Sequence, residues 1–318
     1  MSQPYKSKQQ IWENKATIRT IPRRLLNKMD IEKGKYYFPI SRKMICVQEK
    51  VKSLSKEQFD KILILSAYKY MGDIASIEMN IVASTTNNLI YNRYDIPLEL
   101  PFSCKQDLLT IIIDEAYHAY VANDFIVQVE EITGVKQIVP FYHSTLEYAV
   151  DATKQRLDSR YHDIFSVMAV CIGENSLTKD LVNISREETV NNAFHQVNSD
   201  HMRDEGRHCG IFAYVLERLW ASLSSQQKSA IAEVLPYFLK EYLNPRFEID
   251  YDKKILQEVG FQSDDIEMII KDAYQLSMNE ETIDKNPVMQ HVLTVFRVTG
   301  IVDDAAVKKA FSENNIVL

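Results

Sequence analysis

Glycine and proline are scarce in this 318-residue chain, with 8 and 9 copies. Turn-rich all-β folds draw heavily on both, so the shortage shifts the expectation toward helices. Cysteine is rarer still. Cys46, Cys104, Cys171 and Cys209 lie far apart and form no CxxC pair. That spacing argues against a zinc ribbon or a disulfide framework and leaves buried free thiols. There is no basic excess either. A formal net charge of -7 argues against a general binder of nucleic acid or anionic membranes. Long apolar runs are missing: LLTIII at 108–113 and FSVMAVCI at 165–172 fall well short of the roughly 20 residues of a membrane span. The opening MSQPYKSKQQIWENK lacks the apolar segment of a signal peptide. A cytoplasmic protein with no nucleic-acid or membrane partner is the resulting expectation.

What is present reads as helix. Hydrophobic residues make up 46% and charged residues 25%, the balance of an ordinary globular protein with a generous core. Four capping boxes announce helix starts, at Ser55/Gln58, Ser103/Gln106, Ser144/Glu147 and Ser224/Gln227, because each pair satisfies two opposed orphan amides. Gly134 is a natural stop for the helix opened at Ser103. Long helices are predicted near 55–91, 103–133, 144–157, 160–182, 186–222 and 225–243, and shorter ones near 252–259, 263–277, 287–299 and 303–313. Helices of this length favour a bundle over a layered α/β fold. The predicted plan has an irregular arm over 1–50, a helical bundle over 51–250, and C-terminal helices over 251–318 packed on the bundle within the same domain.

Two segments carry the chemistry. IIIDEAYHAYV at 111–121 and MRDEGRHCGIF at 202–212 each contain Asp-Glu-x-x-His, as Asp114/Glu115/His118 and Asp204/Glu205/His208. Residues at i and i+3 leave a helix on nearly the same face. One Glu-x-x-His therefore presents a carboxylate and an imidazole to one metal ion, and two on facing helices serve a pair. One such match is weak evidence, since a lone helical Glu is usually solvated and a lone apolar-face His usually packs in a core. Order supplies the rest. Glu78, in GDIASIEMNIVAS, precedes Glu115 by 37 positions, and Glu174, in VMAVCIGENSL, precedes Glu205 by 31. Each is an acid within an apolar stretch, on the helix before a Glu-x-x-His helix. Antiparallel hairpins would join each pair, with 119–173 as the crossover of a ferritin-like bundle.

Four buried carboxylates without cations would be prohibitively costly, and two divalent ions offset their charge. Carboxylate and imidazole donors without thiolate suit iron or manganese better than structural zinc. His201 lies four residues before Glu205 and seven before His208, all within about 60° of one helical face. Asp114 and Asp204 are placed to accept the outer ring N–H of a metal-bound histidine, each from the opposite helix. Arg207 then pairs with one of them. The alternative for these three is a solvated charge at the helix edge.

With this ordered set the chain resembles the AurF-like p-aminobenzoate N-oxygenases over roughly 55–245. Glu78 resembles the family's first Glu, Glu115 and His118 the first Glu-x-x-His, and Glu174 the third Glu. His201, Glu205 and His208 resemble the family's His-x-x-x-Glu-x-x-His segment. The resemblance implies a ferritin-like bundle with two iron ions on these seven ligands. It further implies O2 as co-substrate, and oxygenation of an amine, commonly an arylamine, to a hydroxylamine, nitroso or nitro product. A manganese–iron pair satisfies the same ligand types. An external electron donor or reductase and a homodimeric state follow from the same resemblance. Candidate substrate contacts are Tyr70, two turns before Glu78, with Tyr117, Thr178 and Arg297. Asp73, rather than a basic residue, lies one and a half turns before Glu78, which leaves the carboxylate of p-aminobenzoate without an evident arginine partner. Competing readings are a di-iron C–H hydroxylase or desaturase, a non-catalytic ferritin-like iron protein, and a metal-free interaction module. His201 favours the N-oxygenase, since the first two of these usually manage with two histidines.

Overall fold

Four short helices lead the chain in: α1 (Gln9–Lys15), α2 (Thr17–Thr20), α3 (Lys28–Glu32) and α4 (Glu49–Lys52). The structure, a computed structural model, describes residues 5–139, 144–184, 186–275 and 286–318, with the side chains of 177–180 outside that description. Helix α5 (Lys56–Ser76) runs on through a π segment (Ile77–Ala83) into α6 (Ser84–Ile90), and α7 (Phe102–Thr133) follows. Next come α8 (Thr145–Lys154), α9 (His162–Ile184), α10 (Asn192–Ser222) and α11 (Ser225–Tyr242). The chain finishes with α12 (Arg246–Glu258), α13 (Ser263–Tyr274), α14 (Pro287–Val298) and α15 (Ala305–Glu313). The fold is an all-α helical bundle, and the described residues hold no strand beyond one isolated bridge between Tyr36 and Val190.

Local chemistry explains most boundaries. Ser55, Ser144 and Ser224 each form the predicted capping box, and Gly134 closes α7 in the left-handed region at φ 72°. Ser103 forms no such cap. Pro101, at φ -61° and ψ 150°, occupies the N-cap position, so the helix is already under way at Ser103. The predicted start of α10 at 186 is also too early. Tyr36 N–H donates to Thr189 O at 2.9 Å and Asn191 N–H to Tyr36 O at 2.8 Å. These bonds hold 189–191 extended until Asn191 caps the helix. Helix α12 starts six residues before the predicted 252, behind Pro245.

The arm departs from the irregular stretch predicted. It contains helical turns too short to hold by propensity alone, anchored instead by its contacts with α7 and α10. Among the cysteines, Cys46, Cys104 and Cys171 are buried and Cys209 only partly so, all four with free thiols.

Four helical runs surround the centre. Helix α9 packs on α10, α5 and its π segment pack on α7, and α7 packs on α10. Along α7, α9 and α10 apolar side chains fall into two separate clusters with a polar belt between them. On α7, Leu108 and Ile111 belong to one cluster and Ala122 to Val129 to the other, with Glu115 and His118 in the gap. On α10, Phe194 and Val197 precede the gap and Ile211 to Trp220 follow it. His201, Glu205 and His208 occupy it. Helix α9 repeats the pattern, Ile164 to Ile172 before Glu174 and Ile184 after. Apolar burial above and below the belt stabilises the helices, which lets the belt carry buried charge. No helix among the described residues is long and apolar enough to cross a membrane.

Candidate metal centre

Seven side chains converge in the belt: Glu78, Glu115, His118, Glu174, His201, Glu205 and His208, all buried. Their donor atoms form two overlapping groups. Glu78, Glu115, His118, His201 and Glu205 make one, and Glu115, Glu174, Glu205 and His208 make the other, each with ligand atoms within 4.8 Å of one another. Glu115 and Glu205 belong to both, the position of carboxylates that bridge a pair of cations. Glu78 sits in the π segment, a feature the sequence pattern did not reveal. The wider turn re-aims one residue within an otherwise continuous helix, and such insertions recur at functional sites.

The rings of His118 and His208 are oriented alike. His118 Nδ1 faces Glu115 Oε2 at 2.8 Å, and its Nε2 faces Asp204 Oδ2 at 3.3 Å on the opposite helix. His208 Nδ1 lies 2.9 Å from Glu115 Oε1 and 3.1 Å from Glu205 Oε1. Its Nε2 lies 3.2 Å from Asp114 Oδ2. Each ring thus turns Nδ1 to the cluster and is held from behind by an aspartate of the other helix. Arg207 ties the two aspartates together, donating to Asp114 Oδ2 at 2.8 Å and Asp204 Oδ1 at 2.6 Å.

Hydrogen bonds within the cluster are incomplete. Buried Glu78 Oε2, Glu115 Oε1 and His201 Nε2 meet no partner in hydrogen-bonding geometry. Yet His201 Nε2 lies only 3.1 Å from Glu78 Oε1 and 3.2 Å from Glu205 Oε1. Lone pairs crowded together with no proton aligned between them are costly in a dry interior. A cation between them removes that cost, so the donor set fits one.

Electrostatics point the same way. Burial, reinforced by the Glu115 charge, pushes Glu78 up to about 7. Burial and the neighbouring carboxylates raise Glu174 well above the ordinary range. Burial works against ionised Glu205, but the charge on His208, its hydrogen bond and the nearby charge on His201 hold it well below that range. Glu115 is lowered against burial by His208. Burial would likewise depress His118 and His208, but their acidic neighbours raise both. Protons thus compensate four clustered carboxylates, and two divalent cations would supply the four positive charges that replace them.

Two cavities flank the cluster. One, of about 340 Å³, meets Glu78, Glu174, His201 and Glu205 and is otherwise walled by residues including Tyr70, Asp73, Ile77, Leu146, Tyr242 and Asn244. The other, of about 290 Å³, reaches His118 and His201 from the arm side. Tyr70 lines the first, its hydroxyl donating to Asn198 Oδ1 at 3.1 Å. Tyr117 lines the second. Thr178 falls among the side chains outside the description. Arg297 is exposed and lines neither cavity, a correction to its expected place near the pocket. The amphipathic α14 buries Val292, Leu293, Val295 and Phe296, which turns Arg297 outward. Tyr242 and Asn244 were not anticipated, since they arrive from the far end of α11.

An all-α bundle whose paired Glu-x-x-His helices enclose a buried Glu/His cluster able to hold metal has the arrangement used by carboxylate-rich two-metal bundles. Residues 26–292 match the family described as P-aminobenzoate N-oxygenase AurF, and the chain belongs to that family. No individual curated protein matches it.

Proposed function

We propose that this protein is a non-haem di-iron oxygenase that uses O2 to N-oxygenate a small amine, with an arylamine as the leading substrate class. The observation that carries the reading is the pair of overlapping donor groups sharing Glu115 and Glu205, in a chain of the AurF family. Glu78, His118 and His201 would complete one iron site, and Glu174 and His208 the other. When bound, the two ions supply O2 activation and oxidising capacity. An external donor provides the reducing electrons.

The remaining work belongs to the chain. Glu115 and Glu205 hold the two positions together. Asp114 and Asp204 fix the ring planes and tautomers of His208 and His118. The 340 Å³ cavity is of a size that takes a single-ring amine, and its walls bring the nitrogen to the face of the cluster formed by Glu78, Glu174, His201 and Glu205. Leu146, Ile77 and Leu181 exclude bulk water from that face.

Iron quantification with Mössbauer spectroscopy after anaerobic Fe(II) loading tests the centre. Two irons per chain with a coupled di-iron signal are expected, and less than one iron would overturn the reading. Reduced protein mixed with O2 and a panel of arylamines then tests the chemistry. Hydroxylamine, nitroso or nitro products support it, and oxidation of C–H substrates alone counts against it.

A further inference from the structure

Residues 5–25 precede the family-matched segment, yet they touch the outer side of the candidate centre. The arm runs alongside α7 in register. Ser7 Oγ and Lys8 N–H donate to Asp107 at 3.0 and 2.6 Å. Trp12 Nε1 donates to Asp114 Oδ1 at 2.8 Å, Arg23 forks onto Asp124 at 2.9 and 2.7 Å, and Leu26 N–H donates to Gln128 Oε1 at 2.8 Å. On the α10 side, Thr17 N–H lies 3.3 Å from both oxygens of Asp204, and its hydroxyl donates to Oδ2. Arg24 forks onto Asp200.

Two of these contacts differ in kind from the others. Asp114 and Asp204 are the aspartates behind His208 and His118, at most 1% exposed. Each takes one donor from a histidine, one from Arg207 and the rest from the arm. A carboxylate's orientation and basicity depend on every donor it accepts, and both pass through the imidazole to whatever the ring binds. Thr17 is itself 1% exposed, so water cannot substitute for its hydroxyl.

We infer that Trp12 and Thr17 are positioning residues of the metal centre, acting on His208 through Asp114 and on His118 through Asp204. The arm is thereby a working part of the site. This inference rests on the metal-binding reading above. It is also selective: Trp12 bears on the group that contains His208, and Thr17 on the group that contains His118.

Co(II) titration of the full chain, read by its visible d–d bands and by chelator competition, tests the inference without turnover. Wild type should bind two equivalents; if it binds none, the metal reading itself fails. Trp12→Phe removes the indole N–H and keeps the ring. Thr17→Val removes the hydroxyl and keeps the shape. Each should weaken one of the two equivalents by about 10- to 100-fold and shift its bands. Thr17→Ser should restore wild-type affinity, and Arg23→Ala, which loosens the arm without touching either aspartate, should leave both equivalents tight. Wild-type affinities and bands in Trp12→Phe and Thr17→Val would overturn the inference. So would an equal loss in Arg23→Ala, which would show that the arm acts only by packing.

Discussion

His208 on α10 places Nε2 3.2 Å from Oδ2 of Asp114 on α7, and His118 on α7 answers with Asp204 on α10 at 3.3 Å. Each of these two rings is thus braced by the helix opposite, so the two Glu-x-x-His helices position one another. Asp114→Asn keeps the size and removes the charge. Metal affinity should fall by about 10- to 100-fold while far-UV circular dichroism stays unchanged. Wild-type affinity in that variant would show the brace to be inert.

Glu78 belongs to one donor group and Glu205 to both. Glu78→Gln should therefore retain one tight Co(II) equivalent per chain, held by Glu115, Glu174, Glu205 and His208. Glu205→Gln should retain none. Equal stoichiometry in the two variants, measured by equilibrium dialysis, would refute the shared-carboxylate arrangement.

The wall of the 340 Å³ cavity carries Asp73 and, among its described lining residues, no lysine or arginine. An amine bearing a carboxylate should bind poorly there, and a neutral or cationic arylamine should bind at least about tenfold better, a gap of about 1.4 kcal/mol. Binding titrations of p-aminobenzoate against aniline and aminobenzylamine measure this. A preference for p-aminobenzoate would contradict it.

Burial pushes Asp73 up to about 6, although Lys69 pairs with it and draws it down. Its folded value lies above the ordinary 3.8, so the folded chain binds this proton more tightly than the unfolded one. The stability conferred is complete below about pH 3.8 and is lost as pH rises through about 6, an amount up to about 3 kcal/mol. Urea unfolding at pH 4 and pH 8 should show Asp73→Asn gaining on wild type at the higher pH. Parallel behaviour at both values would remove Asp73 as the cause.

Glycines on two neighbouring helices should respond in opposite directions. A Cβ on Gly173 would meet Leu146 Cδ2 at 2.8 Å, so Gly173→Ala forces that buried side chain aside at a cost of about 1–2 kcal/mol. Gly210 lies within α10 with nothing within 4 Å of an added Cβ, and Gly210→Ala should stabilise by about 0.4–1 kcal/mol. Thermal unfolding gives both signs.

Much of the fold and site was legible in one dimension. Spacing of i and i+3 fixes Glu115 with His118 and Glu205 with His208 on shared faces whatever the tertiary packing, because helical geometry is local. Ser55, Ser144 and Ser224 announced their helices for the same reason. Other features had no local signature. The π segment that carries Glu78 packs on α7 and α9, and no residue in its sequence marks it. Ser103 lost its capping role to Pro101, and residues 186–191 were drawn out of α10 by pairing with Tyr36. Trp12 and Thr17 lie in a polar stretch with no periodicity, and only the groove between α7 and α10 brings them to Asp114 and Asp204. Helical periodicity by itself determined which side chains can act together within a helix. The tertiary structure alone decided which carboxylates are shared and what holds the aspartates from outside, and the arm contacts that do so join residues 102 and 187 positions apart in the chain, whose pairing no local rule encodes.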